Sequence, residues 1–203
     1  MATDATQRPP YLFIIRHGST AWTVSHQHTG RTDIPLNALG EAQARGLAAQ
    51  LRAEHFARVF TSPLVRARRT CELAGFAGRA ELTPDLVEWD YGDYEGRRTN
   101  DIHRERPDWN LFRHGAPGGE SPEEVATRAD HFIQLARSVG GDVAAFSSGH
   151  IIRMIAARWL GLAPVDGQCF LADTGSVSIL GFEHSLDEPA VVLWNDSRFT
   201  ARD

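Results

Sequence analysis

Tyr11-Leu12-Phe13-Ile14-Ile15-Arg16-His17-Gly18 is an apolar run that ends abruptly in a guanidinium, an imidazole and a glycine. The run reads as a buried strand over residues 11–16, and it delivers Arg16 and His17 to the strand's carboxyl end, where open α/β sheets place their ligands. Burying an unpaired guanidinium costs several kcal/mol, so packing alone does not explain the pair; an anion that meets it does.

Outward from that strand the hydrophobic period keeps switching between short apolar runs and longer amphipathic stretches, the pattern of strands and helices alternating around a largely parallel sheet. Asn37 is placed to cap a helix through about residue 54, with Leu39, Leu47 and Leu51 on one stripe. Arg58–Thr61 reads as a strand, and Pro63 as the first turn of a helix to about Leu73 with Gly75 near its end. Arg66 therefore rides at that helix's beginning. Residues 76–120 hold no sustained period and are expected to form an irregular, substrate-facing excursion with short helices rather than a layer of the sheet. Within it Trp109, Phe112, Arg113 and His114 form either a substrate lid or a small satellite core. Ser121-Pro122-Glu123-Glu124 combines a capping box with proline just inside the helix start, and the apolar face continues through Val139. Asp142–Phe146 reads as a buried strand, Ile151–Leu160 as a helix stopped by Gly161, and Ser176–Phe182 and Ala190–Trp194 as the last two strands, the final one at or near an edge.

The chain's 203 residues, 42% of them hydrophobic, suit one domain over 1–203. A net charge of −5 argues against nucleic acid or an anionic membrane as partner, so phosphate chemistry must come from a local basic pocket. Cys71 and Cys169 form no metal-like spacing and fit a reducing compartment, with the cytoplasm expected. Residues 1–10 are polar and lack a signal peptide's apolar stretch, and no run approaches the roughly 18 apolar residues of a membrane span.

Four pieces point to one pocket: Arg16 and His17 after the first strand, Arg66 opening a helix after the second, Glu88 in the excursion, and His150 after a later strand. Carboxyl ends of parallel strands converge on one edge, so residues far apart in sequence meet there. Arginine forks match phosphoryl oxygens, helix N-termini add N–H donors, and two histidines add a nucleophile and a further donor. That combination favours phosphoryl transfer. A histidine after a strand is more often structural; the adjacent Arg16 and the downstream pieces select the functional reading for His17. Arg68 and Arg69 are assigned to surface or ion pairs, and His26 and His28 lack the companions a metal site needs.

The blocks Arg16-His17-Gly18-Ser19-Thr20 with Trp22, His28-Thr29-Gly30-Arg31-Thr32-Asp33-Ile34-Pro35-Leu36 with Gly40, Thr61-Ser62-Pro63-Leu64 with Arg66-Ala67 and Thr70, Glu88 with Tyr91-Gly92 and Glu95-Gly96, and Ser148-Gly149-His150 follow one another in order. Together they resemble the histidine phosphatase superfamily, which includes the cofactor-dependent phosphoglycerate mutases. The resemblance implies a phosphoglycerate mutase-like α/β three-layer sandwich, with a mostly parallel sheet and helices on both faces. It also implies that His17 attacks phosphorus in line and becomes the phosphohistidine, that Arg16, Arg66 and His150 contact the equatorial oxygens, and that Glu88 donates the leaving-group proton and then activates water. Thr23, Thr29, Gly30 and Tyr91 would bind substrate, and neither metal nor cofactor is required. Threonine stands at 23 where many relatives have asparagine.

The stretch between Glu88 and His150 is shorter than in the mutases and lacks their basic grip on a substrate carboxylate, which favours net hydrolysis. Glu88–Gly96, Gly118-Gly119-Glu120-Ser121 and Asp187–Ala190 look like a subgroup containing fungal sedoheptulose-bisphosphate phosphatases and mycobacterial acid phosphatases. The reading is therefore a phosphatase for a small phosphorylated metabolite, a sugar phosphate by preference. Its rivals are a mutase primed by 2,3-bisphosphoglycerate and a noncatalytic phospho-ligand scaffold. The oligomeric state is left open, a homodimer being one alternative.

Overall fold

The apolar opening run becomes β1, Leu12–Arg16, in which Leu12 and Ile14 join the core on one side of a sheet and Phe13 and Ile15 the core on the other. Side chains of a strand alternate between faces, so a run buried on both sides is apolar throughout. The computed structural model describes residues 8–52 and 54–198; the polar leader expected at 1–10 lies outside them up to residue 7. Five further strands complete the sheet: β2 (Arg58–Thr61), β3 (Ala80–Leu82), β4 (Val143–Ser147), β5 (Val177–Phe182) and β6 (Pro189–Asp196). Their order is β3-β2-β4-β1-β5-β6. The first four in that order run parallel, whereas β5 lies antiparallel to β1 and β6 antiparallel to β5.

The helices are α1 (Ala21–Val24), α2 (Ala38–Leu51), α3 (Val65–Cys71), α4 (Thr99–Glu105), α5 (Leu111–His114), α6 (Pro122–Ser138) and α7 (Gly149–Trp159). Leu47 and Leu51 of α2 and Cys71 of α3 pack on the Phe13–Ile15 face, and the apolar stripes of α6 and α7 cover the other. This is the expected mostly parallel sheet with helices on both faces. The capping box of α6 forms as read: Ser121 Oγ accepts from the Glu124 N–H at 3.2 Å, and the Glu124 carboxylate accepts from the Ser121 N–H at 2.8 Å.

Three readings are corrected. Residues 80–82, assigned to the excursion, join the sheet as β3, paired with β2 from Val59↔Ala80 to Thr61↔Leu82; three largely exposed residues are too few to show a period. Pro63 lies before α3 rather than in its first turn, because Asp33 Oδ1 accepts from the Val65 N–H at 2.8 Å and sets the helix start from a distant loop. That helix passes into a π-helical turn, Glu72–Phe76, where Gly75 takes φ 97°. Finally, α7 begins at Gly149, two residues earlier than the apolar pattern suggests.

The start of α2 holds the segment after His17. A Cβ at Gly18 would sit 2.3 Å from the Gly40 carbonyl oxygen, and one at Gly40 would sit 2.0 Å from the Ser19 oxygen, so glycine at both positions permits backbone-to-backbone contact. Asn37 caps α2 through the Gly40 N–H at 2.8 Å, and Gln43 Oε1 accepts from the Ser19 N–H at 2.8 Å. The nucleophile candidate thus sits on a segment clamped by a helix N-terminus.

Candidate active site

At the carboxyl ends of β1 and β4 lies a cavity of about 200 Å³ lined by Arg16, His17, Trp22, Thr23, His26, Gln27, His28, Thr29, Glu88, Tyr91 and His150. His17 and His150, 133 positions apart, therefore share one space. Parallel pairing accounts for it: Arg16 is in register with Ser147, so the chain leaves both strands side by side, with His17 following one and Ser148-Gly149-His150 the other.

His17 Nδ1 lies 2.7 Å from the Gly18 carbonyl oxygen. A carbonyl only accepts, so Nδ1 carries the proton and Nε2 keeps its lone pair. Burial, and then the Arg66 and Arg16 guanidiniums, hold the His17 imidazole well below the ordinary histidine range, so the ring is neutral at pH 7. Arg16 anchors one guanidinium nitrogen on the Ala172 carbonyl. A Cβ at Gly149 would crowd the Arg16 Cζ at 3.2 Å, so the start of α7 is glycine where the guanidinium lies against it.

Glu88 is 4% exposed and its carboxylate caps α7: Oε2 accepts from the His150 N–H and Oε1 from the Ile151 N–H, both at 2.9 Å. Oε1 also accepts from the Trp89 N–H at 2.9 Å. Ser148, in the N-cap position, makes no side-chain cap bond of its own. With both lone pairs of Oε1 engaged, the free lone pair belongs to Oε2, the oxygen 3.9 Å from His150 Nδ1. The segment carrying Glu88 is pinned from behind by Arg128, which donates to the Asp85 and Val87 carbonyls and pairs with Glu120 at 2.6 Å.

Tyr91 is buried, lines the cavity, and brings its hydroxyl within 2.6 Å of His150 Nδ1. Burial pushes the Tyr91 phenol well above its ordinary range, so it stays protonated. Burial also lowers the His150 imidazole, with Arg153, His28 and Arg16 acting in the same direction. Thr23 and Thr29 reach the cavity wall, but their hydroxyls are committed to the backbone: Thr23 Oγ1 bonds the Thr20 carbonyl at 2.9 Å and Thr29 Oγ1 the Gln27 carbonyl at 3.1 Å.

Two of the expected site residues are not among those that line the cavity. Arg66 is fully buried; its Nη groups donate to the carbonyls of Thr29, Gly30 and Thr32 at 2.9–3.1 Å, while its buried Nε has no hydrogen-bond partner among the described residues. Gly30 also stands behind the wall, its N–H taken by the Glu95 carboxylate at 2.9 Å and its Cβ position blocked by Trp89, Glu95 and Tyr91. Arg66 and Glu95 fasten the 29–32 loop from both sides, and Arg66 acts on His17 through its charge. Sequence reasoning missed Gln27 and the wall roles of His26 and His28, which no local pattern marks. Ser148 Oγ, like Arg16 Nε and Arg66 Nε, is buried without a hydrogen-bond partner among the described residues.

His28 is held down to about 4 by burial. The folded protein therefore takes up fewer protons than the unfolded chain below the ordinary value of 6.5, and stability must fall as pH drops through that window. From pH 7 to pH 5 this one ring removes about 2 kcal/mol, with His17 and His150 adding in the same direction. Thermal melts should show a lower Tm at pH 5 than at pH 7, and a smaller drop in His28→Gln; equal Tm values at the two pH values would refute this.

Known proteins match the chain over nearly its whole length. A 41% identical relative, an acid phosphatase of Mycobacterium tuberculosis, aligns over 89% of this chain and 91% of its own. A sedoheptulose 1,7-bisphosphatase of Saccharomyces cerevisiae is 30% identical over 91% of this chain and 92% of its own. A solved structure from Mycobacterium tuberculosis superposes with a TM-score of 0.88 at 37% identity, covering 93% of this chain and 98% of that one. The family model described as the histidine phosphatase superfamily (branch 1) matches residues 12–197. Blocks separated in sequence but gathered at one sheet edge, and a fold shared with these proteins, have one explanation: this chain belongs to branch 1 of the histidine phosphatase superfamily.

Proposed function

We propose that this protein is a metal-independent phosphomonoesterase that hydrolyses a small phosphorylated metabolite, a sugar phosphate by preference, through a phosphohistidine on His17. The observation that carries the proposal is the 2.7 Å contact between His17 Nδ1 and the Gly18 carbonyl, which leaves Nε2 a lone pair inside a cavity walled by Arg16 and His150. Nε2 attacks phosphorus as the ester P–O bond breaks, and a proton on Glu88 Oε2 passes to the leaving alkoxide. Water then attacks the phosphohistidine, gives its proton back to Oε2, and the N–P bond breaks to release phosphate. The Arg16 guanidinium takes up charge on the equatorial oxygens, with Arg66 adding a fixed positive potential from behind the wall. Tyr91, donating to His150 Nδ1, would leave Nε2–H of that ring as a further donor. The relatives' names, an acid phosphatase and a sugar bisphosphatase, support the substrate class. The free thiols of Cys71 and Cys169 support a reducing cytoplasmic setting.

Purified protein should release inorganic phosphate from a panel of phosphorylated sugars with EDTA present, and from 3-phosphoglycerate it should give phosphate rather than 2-phosphoglycerate. Silence across the panel would move the weight to a noncatalytic scaffold, and 2-phosphoglycerate formation to a mutase.

A further inference from the structure

A second cavity, of about 270 Å³, opens beside the first and shares His28 and His150 with it. Its wall also includes Thr99, His103, Trp109, Asn110 and Arg153. No aspartate or glutamate lines it. Trp109 and Phe112, expected in a lid or a satellite core, belong to the main core and present their rings here, whereas Arg113 and His114 are exposed elsewhere on α5.

Arg153 is the one cation of this wall that is charged at every working pH. It stands one helical turn beyond His150 on α7, so the two side chains share a face. Its guanidinium lies 4.6 Å from the Phe112 ring centre, and the same ring is 5.7 Å from the His150 ring. The charge is thus no farther from His150 than those two spans laid end to end. Arg153 Nε donates to the Gly167 carbonyl at 3.1 Å and Nη2 to the Gln168 carbonyl at 2.9 Å, which fixes the fork. Some arginines, among them Arg58 with Glu81, Arg128 with Glu120 and Arg158 with Asp130, pair with carboxylates. Among the described residues no carboxylate pairs with Arg153, and no hydrogen bond occupies its Nη1.

A guanidinium oriented by two carbonyls and an aromatic face, with no carboxylate in contact among the described residues and half-buried beside a phosphoryl-sized cavity, is suited to bind an anion. We propose that this outer cavity holds a second anionic group, a phosphate or carboxylate at the far end of the substrate, and that Arg153 is the specificity-determining residue that grips it. The substrate class is then a phosphorylated sugar or sugar acid with negative charge at both ends, its scissile phosphate at His17 and its other end at Arg153. The proposal rests on the phosphatase reading above and narrows it.

The test measures kcat/KM for a sugar bisphosphate, the matching monophosphate, a phosphorylated sugar acid of similar length and nitrophenyl phosphate. The bisphosphate or the sugar acid should exceed the monophosphate by about tenfold or more, as one charge-assisted contact allows; whichever does so tells phosphate from carboxylate. In Arg153→Met the ratio of that substrate to nitrophenyl phosphate should fall by about tenfold, mostly through KM, and Arg153→Lys should recover part of it. Thr99→Glu, which puts a negative charge on the exposed rim, should lower the same ratio even if Arg153→Met does not fold. A doubly anionic substrate no better than the monophosphate, or a ratio unmoved in the variants, would overturn the proposal. Failure to hydrolyse every ester, nitrophenyl phosphate included, would instead defeat the phosphatase reading beneath it.

Discussion

His17→Ala is expected to lower kcat by about 10⁴-fold or more on every phosphate ester, because it removes the attacking atom while leaving the cationic wall in place. The substitution is mild for the fold: His17 lies after the end of β1, and the segment is held by backbone contacts through Gly18, Ser19 and Gly40. Alanine should therefore melt close to the parent while turnover disappears, and steady-state kinetics with circular dichroism melts separate the two. Retention of even a tenth of the parent rate would mean that water attacks phosphorus directly. The same ring sets the acid side of the rate profile. Burial, Arg66 and Arg16 keep His17 neutral well below the ordinary histidine range, so kcat/KM, corrected for substrate ionisation, should not fall as pH passes through 6.5. A decline centred there would place the nucleophile in a more hydrated setting.

Glu88→Gln should slow alkyl phosphates by about 10²–10⁴-fold and nitrophenyl phosphate much less, since an alkoxide needs the proton that nitrophenolate does without. The geometry adds a second expected effect. Glu88 accepts two N–H bonds at the start of α7 and a third from Trp89, and a glutamine amide turns N–H toward N–H at one of its two atoms. One unmet buried contact costs about 1–3 kcal/mol, so the variant should also melt lower. Comparing the leaving groups within the one variant removes that common loss. Equal slowing of both esters would reduce Glu88 to a structural cap for α7.

What the sequence made legible was local. The run 11–16 carried its own burial pattern, the Ser121–Glu124 box its own cap, and strand ends carried His17 and His150 to one edge because parallel topology leaves them no other place. What it hid was set by contacts between distant residues. Asp33 decides where α3 begins and Glu88 where α7 begins, and neither carboxylate lies near the helix it caps in sequence. Arg66 reads as a phosphate ligand, and only the fold shows that its two Nη groups also tie down three loop carbonyls while Nε stays without a partner among the described residues. The edge strand at 80–82 is too short for periodicity to register. No sequence pattern singles out Arg153; its place on the wall of the second cavity, fixed by the Gly167 and Gln168 carbonyls, is visible only in three dimensions.

The stereochemical course at phosphorus tests the covalent intermediate most directly. Each in-line displacement inverts phosphorus, so transfer to His17 followed by transfer to an acceptor must give net retention. With an ester made chiral by oxygen isotopes and an alcohol as final acceptor, retention in the product is the predicted result. Inversion would mean a single displacement, and His17 would then not be the nucleophile.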